Sequence, residues 1–305
     1  MRRKVIQIAG STQLVSLPRQ WAKKHNIQKG QEIEVHEEGN RVIITSSTEP
    51  IIDVAELDIS DLGDMTARCI HALYKRGADE LKITFREPSY IRKVQDAIGK
   101  ESVGFEILEQ KDNHCTIKYV SGNLEEFDSI LRRTFLLLLN MADQTYENLK
   151  DEKFDALQTT AFLEEANNRF TTICRRYLNK TNNDFQGKVG PMYYIVEELE
   201  KVADQYKCLC QHFSKLKGKN VVLDNHAMNM FGSANDMLRD YYELFYKFDA
   251  NRLRKMKQQR NKTVDEAHKL LQKDLNYGSH WLVYHTLVIT DKLFAMTGSL
   301  LLLKL

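Results

Sequence analysis

The chain has 305 residues and a net charge of +2 at neutral pH, because 44 lysines and arginines nearly balance 42 aspartates and glutamates. This length suits two or three domains, and the charge excludes a protein that is basic throughout. No apolar run reaches the roughly eighteen residues of a membrane span, and no apolar signal core follows the first residues. We therefore expect a soluble, cytoplasmic protein without membrane insertion.

The first 46 residues predict a small β unit. Short β-prone runs, each bounded by turn residues, are the predicted strands: Val5–Ile8, Leu14–Leu17, Ile33–Val35 and Val42–Ile44. Between the second and third runs, Pro18 fits a first helical position, and residues 20–25 can form about two helical turns. A unit of this size buries too little apolar surface to be stable alone, so we expect a second copy of the chain to complete it.

This segment resembles the swapped-hairpin DNA-binding domains of the AbrB, SpoVT and MazE superfamily. The resemblance rests on the step Leu17-Pro18-Arg19 with Trp21 after it, on Lys29-Gly30, and on the closing run Val42-Ile43-Ile44. It implies that two chains interleave their hairpins into one small barrel. It also implies that the basic residues of this homodimer approach DNA as a symmetric pair.

Charge supports a DNA-binding role for residues 1–46, in which eight basic residues oppose four acidic ones. Lysine and arginine neutralise phosphates, and arginine is well suited to reading base edges. The predicted DNA contacts are Arg2, Arg3, Lys4, Arg19, Lys23 and Lys24. The alternative is that they form a solvated basic face on a dimerisation module.

Residues 47–123 follow a linker-like stretch at 46–50 and predict a small α/β domain. The predicted strands are 51–54, 80–85, 105–108 and 115–120, and the predicted helices are 61–76 and 91–98. Ten basic residues against fourteen acidic ones give this segment a charge of −4, which argues against a second DNA contact here. His71 and His114 are interpreted as ordinary polar surface residues.

Residues 124–305 predict an all-α domain. Its predicted helices are 124–150, 154–181, 191–217, 222–248, 250–275 and 280–303. The tetrapeptide at 153–156 recurs at 247–250, at the same junction of each three-helix set, which indicates a duplication with repeats at 124–217 and 221–305. A dense basic run lies at 252–262; we interpret it as a solvated face, with a second phosphate contact as the alternative.

Carboxylates recur at helical spacing in the third of these helices, where Glu200 and Asp204 share a face with Glu197. Such a stripe needs a cation or basic side chains among its members, and hard oxygen ligands suit magnesium, manganese or iron. This helix and the duplication resemble PhoU, the family of phosphate-uptake regulators, whose Glu-x-x-x-Asp pattern matches Glu200 and Asp204. The resemblance implies a divalent or iron metal site there, with Glu164 of the second helix as a further ligand.

Departures from that pattern leave an alternative open. In the second repeat Leu287 stands where Glu200 stands in the first, so no full metal site is expected there. In the first repeat Asn168 follows Glu164 at the position of the second carboxylate, and Arg169 is near enough to compete for the acids. A salt-bridged acidic face without metal is therefore the alternative interpretation.

The sequence contains none of the common catalytic motifs, so we do not expect an enzyme. The leading hypothesis is a dimeric transcriptional regulator of phosphate uptake, in which the PhoU-like bundle senses a signal or binds a partner. The alternative is a PhoU-type adaptor that acts on a phosphate transporter or its signalling partners, with the N-terminal domain serving chiefly for dimerisation. Five cysteines without a Cys-x-x-Cys pair are expected to be reduced thiols.

Overall fold

The computed structural model describes residues 2–46, 52–121, 127–181, 188–216 and 222–305. Three predicted features lie wholly or partly outside the described residues: the linker at 46–50, the domain boundary at 123 and the interval between the repeats. The chain divides into two compact units, Met1–Ile52 and Asp53–Leu305. The predicted boundary between a middle and a helical domain stays a prediction, because both lie in the second unit.

The N-terminal unit consists of two hairpins and a short helix. Its elements are β1 (Ile6–Ile8), β2 (Thr12–Leu14), α1 (Arg19–Lys24), β3 (Ile33–Glu38) and β4 (Arg41–Ser46). Strand β1 pairs with β2 and β3 with β4, both antiparallel, and the two hairpins form separate sheets within the described residues. The first hairpin turns through Ala9 and Gly10, both at positive φ, which glycine adopts without strain.

Residues 54–119 form the predicted small α/β region, a four-stranded sheet with two helices. Its elements are β5 (Val54–Asp58), α2 (Thr66–Arg76), β6 (Glu80–Thr84), α3 (Tyr90–Glu101), β7 (Phe105–Gln110) and β8 (His114–Tyr119). The strand order is β5-β6-β8-β7, with β5 parallel to β6 and the other pairs antiparallel. Ile70 and Tyr74 of α2 pack with Leu81, Ile83 and Ile117 of the sheet in a core of fully buried side chains.

The expectation that His71 is a surface residue is wrong. This side chain is buried, its Nε2 lies 2.8 Å from the carbonyl oxygen of Ala97, and its Nδ1 lies 3.3 Å from a carboxylate oxygen of Glu101. Helix α3 packs against this side of α2 and removes His71 from water. The sequence spacing within α2 did not reveal this second covered side, because α3 lies across it only in the folded chain.

The described part of the C-terminal region is helical. Its elements are α4 (Phe127–Lys150), α5 (Phe154–Ala161), α6 (Leu163–Lys180), α7 (Val189–Ser214), α8 (Asn225–Tyr246), α9 (Ala250–Leu271) and α10 (Tyr277–Lys304). The predicted second helix is divided into α5 and α6 at Phe162. Helix α7 begins before Gly190 and Pro191, because proline is tolerated in a first turn, where its missing N–H needs no helical partner.

Both predicted repeats share one hydrophobic core. Helix α10 packs against α7 and α8, and α4 packs against α8, so that fully buried Leu138, Leu199, Leu238 and Leu293 belong to the same cluster. Among the described helices, α10 is long and apolar enough to cross a membrane by length and composition alone. Its contacts with α7 and α8 are those of a central bundle helix, a position that produces the same composition.

Candidate nucleic-acid interface and carboxylate clusters

The six basic residues predicted to bind DNA lie in the two segments that flank the first hairpin. Arg2, Arg3 and Lys4 precede β1, whereas Arg19, Lys23 and Lys24 lie on α1. All six are exposed, and none pairs with a carboxylate within the described residues. Lys23 and Lys24 occupy the last turn of α1, where the negative end of the helix dipole favours basic side chains. The arrangement leaves their charges available to an anionic partner.

Large apolar side chains of the N-terminal unit are also exposed. Among the side chains of residues 2–46 that the structure describes, none is buried. The apolar side chains that are more than two-fifths exposed are Val5, Ile6, Ile8, Leu14, Val15, Val35 and Val42. Monomeric soluble proteins seldom leave so many apolar strand residues in water. This unit by itself therefore lacks the core that a stable domain needs.

The carboxylates of the third predicted helix are bound by an arginine. Arg175 of α6 is almost fully buried; its Nη1 donates to Glu197 at 2.5 Å, and its guanidinium also contacts Glu200. Thr171 donates a further hydrogen bond to Glu200 at 2.9 Å. Because a buried guanidinium already neutralises these two carboxylates, they do not converge on a vacant cation position.

Glu164 and Asp204 form a second cluster. Glu164 is buried and accepts hydrogen bonds from Lys207 at 2.7 Å and from Asn168 at 2.5 Å. Burial, together with the hydrogen bond and the negative charge of Glu164, raises the pKa of Asp204 to about 6, against the opposing effect of Lys207. A carboxyl with this pKa carries a proton for part of the time near neutral pH, which relieves repulsion within the pair.

These two clusters do not fit a metal as their side chains are arranged. Of the four predicted ligands, Glu197 and Glu200 pair with Arg175, and Glu164 pairs with Lys207, whose charge also acts to lower the pKa of Asp204. No group of three or more His, Cys, Asp or Glu side chains in the described chain could hold a metal ion. The predicted competitor Arg169 has no ion pair with these acids; Arg175 and Lys207 neutralise them. The metal site predicted from the PhoU resemblance stays a prediction without support from the geometry.

Sequence reasoning missed Arg176, which joins the helical bundle to the α/β region. Its side chain is fully buried; Nη1 donates to the carbonyl oxygens of Tyr74 and Ala78 at 3.0 and 2.7 Å, and Nη2 donates to Asp79 at 3.1 Å. The guanidinium also lies 4.1 Å from the ring centroid of Tyr119. A pair of arginines in an otherwise apolar stretch of helix was the available signal, but its partners lie about a hundred residues earlier.

Other contacts strengthen this junction. Lys180 contacts Asp79, and Asn179 donates to the carbonyl oxygen of Lys75 at 2.7 Å. Helices α2 and α3 therefore cover the outer side of α6. The adjacent residues Arg175 and Arg176 point to different partners, one to the carboxylates of α7 and the other to the α/β region.

Comparison with known proteins identifies the class of the N-terminal unit. Residues 6–51 match the family model of "antidote-toxin recognition MazE, bacterial antitoxin". This confirms, for that segment, the resemblance to the AbrB, SpoVT and MazE superfamily, so the chain begins with a MazE-like domain. No curated protein matches the chain.

A solved structure is similar to the chain over the larger part of its length. It is the phosphate transport system regulatory protein PhoU from Streptococcus pneumoniae, at 15% sequence identity and a TM-score of 0.47. The similarity covers 59% of this chain and 94% of that protein.

Proposed function

We propose that this protein is a dimeric, non-enzymatic transcriptional regulator of phosphate uptake that acts in the cytoplasm. In this proposal two N-terminal units form one barrel that binds a two-fold operator. The helical bundle is the sensing or partner-binding module, and a phosphate transporter or its signalling proteins are its candidate partners.

One observation carries the DNA-binding part. A MazE-like domain exposes both the apolar strand residues that a second copy would cover and six basic side chains without a carboxylate partner among the described residues. Pairing of two copies doubles that basic charge on one small surface. Phosphate contacts provide most of the affinity of such a surface, and arginines provide sequence preference.

The phosphate part rests on the resemblance of the helical region to the phosphate-uptake regulators. The features that carry this resemblance are the duplication and the spacing of Glu200 and Asp204. The proposed phosphate role does not require a bound metal, because Arg175 already neutralises Glu197 and Glu200. A sensing role would require that a ligand or partner bind two states of the bundle with different affinity.

The experiment that tests DNA binding uses the full chain. In the N-terminal variant, Arg2, Arg3, Arg19 and Lys23 are replaced by alanine; in the middle-domain control variant, Lys82, Arg92, Lys93 and Lys100 are replaced by alanine. Binding-site selection with the unmodified protein, with and without phosphate, should first give a palindromic sequence. With excess random-sequence competitor DNA present, electrophoretic mobility shifts on that sequence should disappear in the N-terminal variant and persist in the control variant.

Two results would contradict the proposal. Unchanged mobility shifts in the N-terminal variant would exclude these residues as DNA contacts. Absence of any sequence preference, together with co-purification of transport proteins, would instead support the adaptor alternative.

A further inference from the structure

Helix α9 carries more positive charge for its length than the predicted DNA-binding unit. Its 22 residues, Ala250–Leu271, contain seven lysines and arginines and only two acids, Asp265 and Glu266. The N-terminal unit has a charge of +4 over 46 residues, whereas this single helix has a charge of +5. Such a concentration of like charge destabilises an isolated helix, so it needs a reason other than folding.

The basic residues of α9 form two sets. Arg252 and Arg260 lie beside the neighbouring helices and pair with Asp240 and Asp291, each at 3.0 Å. The second set points outward; we call these residues the α9 basic face: Arg254, Lys255, Lys257, Lys262 and Lys269. All members of this face are exposed. Lys262 lies 3.8 Å from Glu266, and the other four have no carboxylate within ion-pair distance in the described parts of the chain.

No element like α2 and α3, which cover the outer side of α6, packs on the outer side of α9 in the described part of the chain. In the first half of the bundle, α2 and α3 pack on the outer side of α6, where Arg176 and Lys180 reach Asp79. In the second half, α9 packs against α8 and α10, which hold its inner side. Within the described residues, therefore, Arg175, Arg176 and Lys180 of α6 have protein partners, whereas the α9 basic face meets water.

Chemistry favours a nucleic acid as the partner of this face. The basic side chains are interleaved with exposed Asn251, Gln258 and Asn261, and amide side chains also donate to phosphates. A helix that lies on a lipid surface needs several large apolar side chains beside its basic ones, whereas in α9 Leu271, at the last position, is the one large apolar side chain that is exposed. From Arg254 to Lys269 the helix extends roughly 22 Å, enough to follow several phosphates of a duplex.

We propose that the α9 basic face binds the phosphate backbone of DNA, as a second contact surface in addition to that of the N-terminal unit. The contact is independent of sequence, because lysines and one arginine on a convex helix neutralise phosphates without reaching base edges. This proposal rests on the DNA-binding function proposed above and adds to it a surface that holds DNA next to an operator.

The test measures DNA affinity against salt for the full chain. In the α9 variant, Arg254, Lys255, Lys257 and Lys269 are replaced by alanine, and the middle-domain control variant removes the same number of exposed charges elsewhere. The DNA is a random-sequence duplex of about 40 base pairs, which is long enough to extend past one operator. Fluorescence anisotropy over a range of salt concentrations gives the slope of log affinity against log salt concentration. We expect the slope of the α9 variant to become shallower by about 0.9 for each lost phosphate contact, and its affinity at 100 mM salt to fall about tenfold or more.

The control variant should keep the slope of the unmodified protein. Circular dichroism and thermal melting check that each variant is folded, which is expected because all replaced side chains are exposed. Equal slopes for the α9 variant and the control variant would overturn the proposal. So would unchanged DNA binding combined with loss of binding to phosphatidylglycerol vesicles, or with loss of self-association in sedimentation, because these point to a membrane or to a second copy.

Combining the variants separates this proposal from the DNA-binding function of the N-terminal unit. If the N-terminal variant loses operator preference but keeps salt-dependent binding that the added α9 substitutions remove, both proposals are supported. If the N-terminal variant binds as the unmodified protein does and the α9 variant does not, the N-terminal assignment fails and the α9 assignment stands. If only the N-terminal substitutions matter, the α9 assignment fails alone.

Discussion

Arg176 links the α/β region to the helical bundle through a fully buried side chain. It satisfies two backbone carbonyls and one carboxylate, and it lies over aromatic rings of the sheet and of α2. A buried charge of this kind needs all its partners, because an unpaired group in a low dielectric is costly. Its neighbour Arg175 meets the same requirement through the carboxylates of α7.

We therefore expect Arg176→Ala to lower the free energy of unfolding by about 3–5 kcal/mol, since it leaves Asp79 and two carbonyls without this donor. Urea denaturation followed by circular dichroism measures the change. Arg86→Ala is the matched control, because its ion pair with Asp61 is exposed and is expected to contribute less than about 1 kcal/mol. Equal losses in both variants would show that burial of Arg176 is not what matters.

The raised pKa of Asp204 predicts that the stability of the protein falls as pH rises. Its pKa is about 6 in the folded protein and the ordinary value is 3.8, so the folded state holds this proton more tightly than the unfolded state does. Stability contributed at this site is therefore lost as pH rises from about 4 to about 7. Asp204→Asn removes the penalty, and it should raise the melting temperature at pH 7.5 but change it little at pH 4.5.

Thermal melts of both proteins at these two pH values measure the effect. Asp96→Asn is the control, because this exposed aspartate lies on the surface of α3. A melting difference for Asp204→Asn that is the same at both pH values would contradict the assignment of the raised pKa to the burial of Asp204 beside Glu164.

Helix starts differ between the two halves of the bundle. In the second half, α8, α9 and α10 each begin at an acceptor side chain that caps backbone N–H groups: Asp224, Asp249 and Asn276. In the first half, α5, α6 and α7 begin without such a bond. The recurring tetrapeptide falls at the same junction in both halves, yet its aspartate caps only α9, since α5 begins two residues earlier in the motif.

We expect Asp249→Ala to lower the midpoint of chemical denaturation, because the N–H of Arg252 loses its acceptor, which lies at 2.8 Å. Chemical denaturation measures this loss. Asp265→Ala, at an exposed position inside the same helix, should change stability by less than about 0.5 kcal/mol. A similar change in both variants would indicate that the charge of α9, and not the cap, sets its stability.

The two units of the chain differ in how well they bury their apolar side chains. The unit formed by residues 53–305 buries two hydrophobic cores, one in the α/β region and one in the helical bundle, whereas no side chain that the structure describes within residues 2–46 is buried. The apolar strand residues of the smaller unit need a cover, and under the proposed function a second copy of the chain provides it. Dimerisation and DNA binding are then consequences of one assembly step.

We expect Ile8→Lys to shift the full chain from dimer to monomer, because it places a charge among the apolar strand residues. Gln13→Lys adds the same charge on the paired strand at a polar position, and it should leave the dimer intact. Sedimentation equilibrium over a range of concentrations measures the association. A dimer that survives Ile8→Lys would place the contact between copies outside this hairpin.

Strands, helices and the basic N-terminal segment could be predicted from the sequence because they depend on residues close together in the chain. The alternation of apolar residues and the position of Pro18 act over a few residues, so they predict strands and helices without knowledge of the rest. For the same reason the MazE-like segment could be identified and its basic residues named, because they lie within one short stretch of chain.

Which charges meet depends on the packing of helices that lie far apart in the chain. Glu197 and Glu200 have the spacing of metal ligands, but Arg175, from another helix, lies against both of them. Arg176 is one residue further along and finds its partners near residue 79. Helical spacing tells which residues share a face, but it does not tell which distant face packs against it, and the packing of α6 against α7 and α2 settles that.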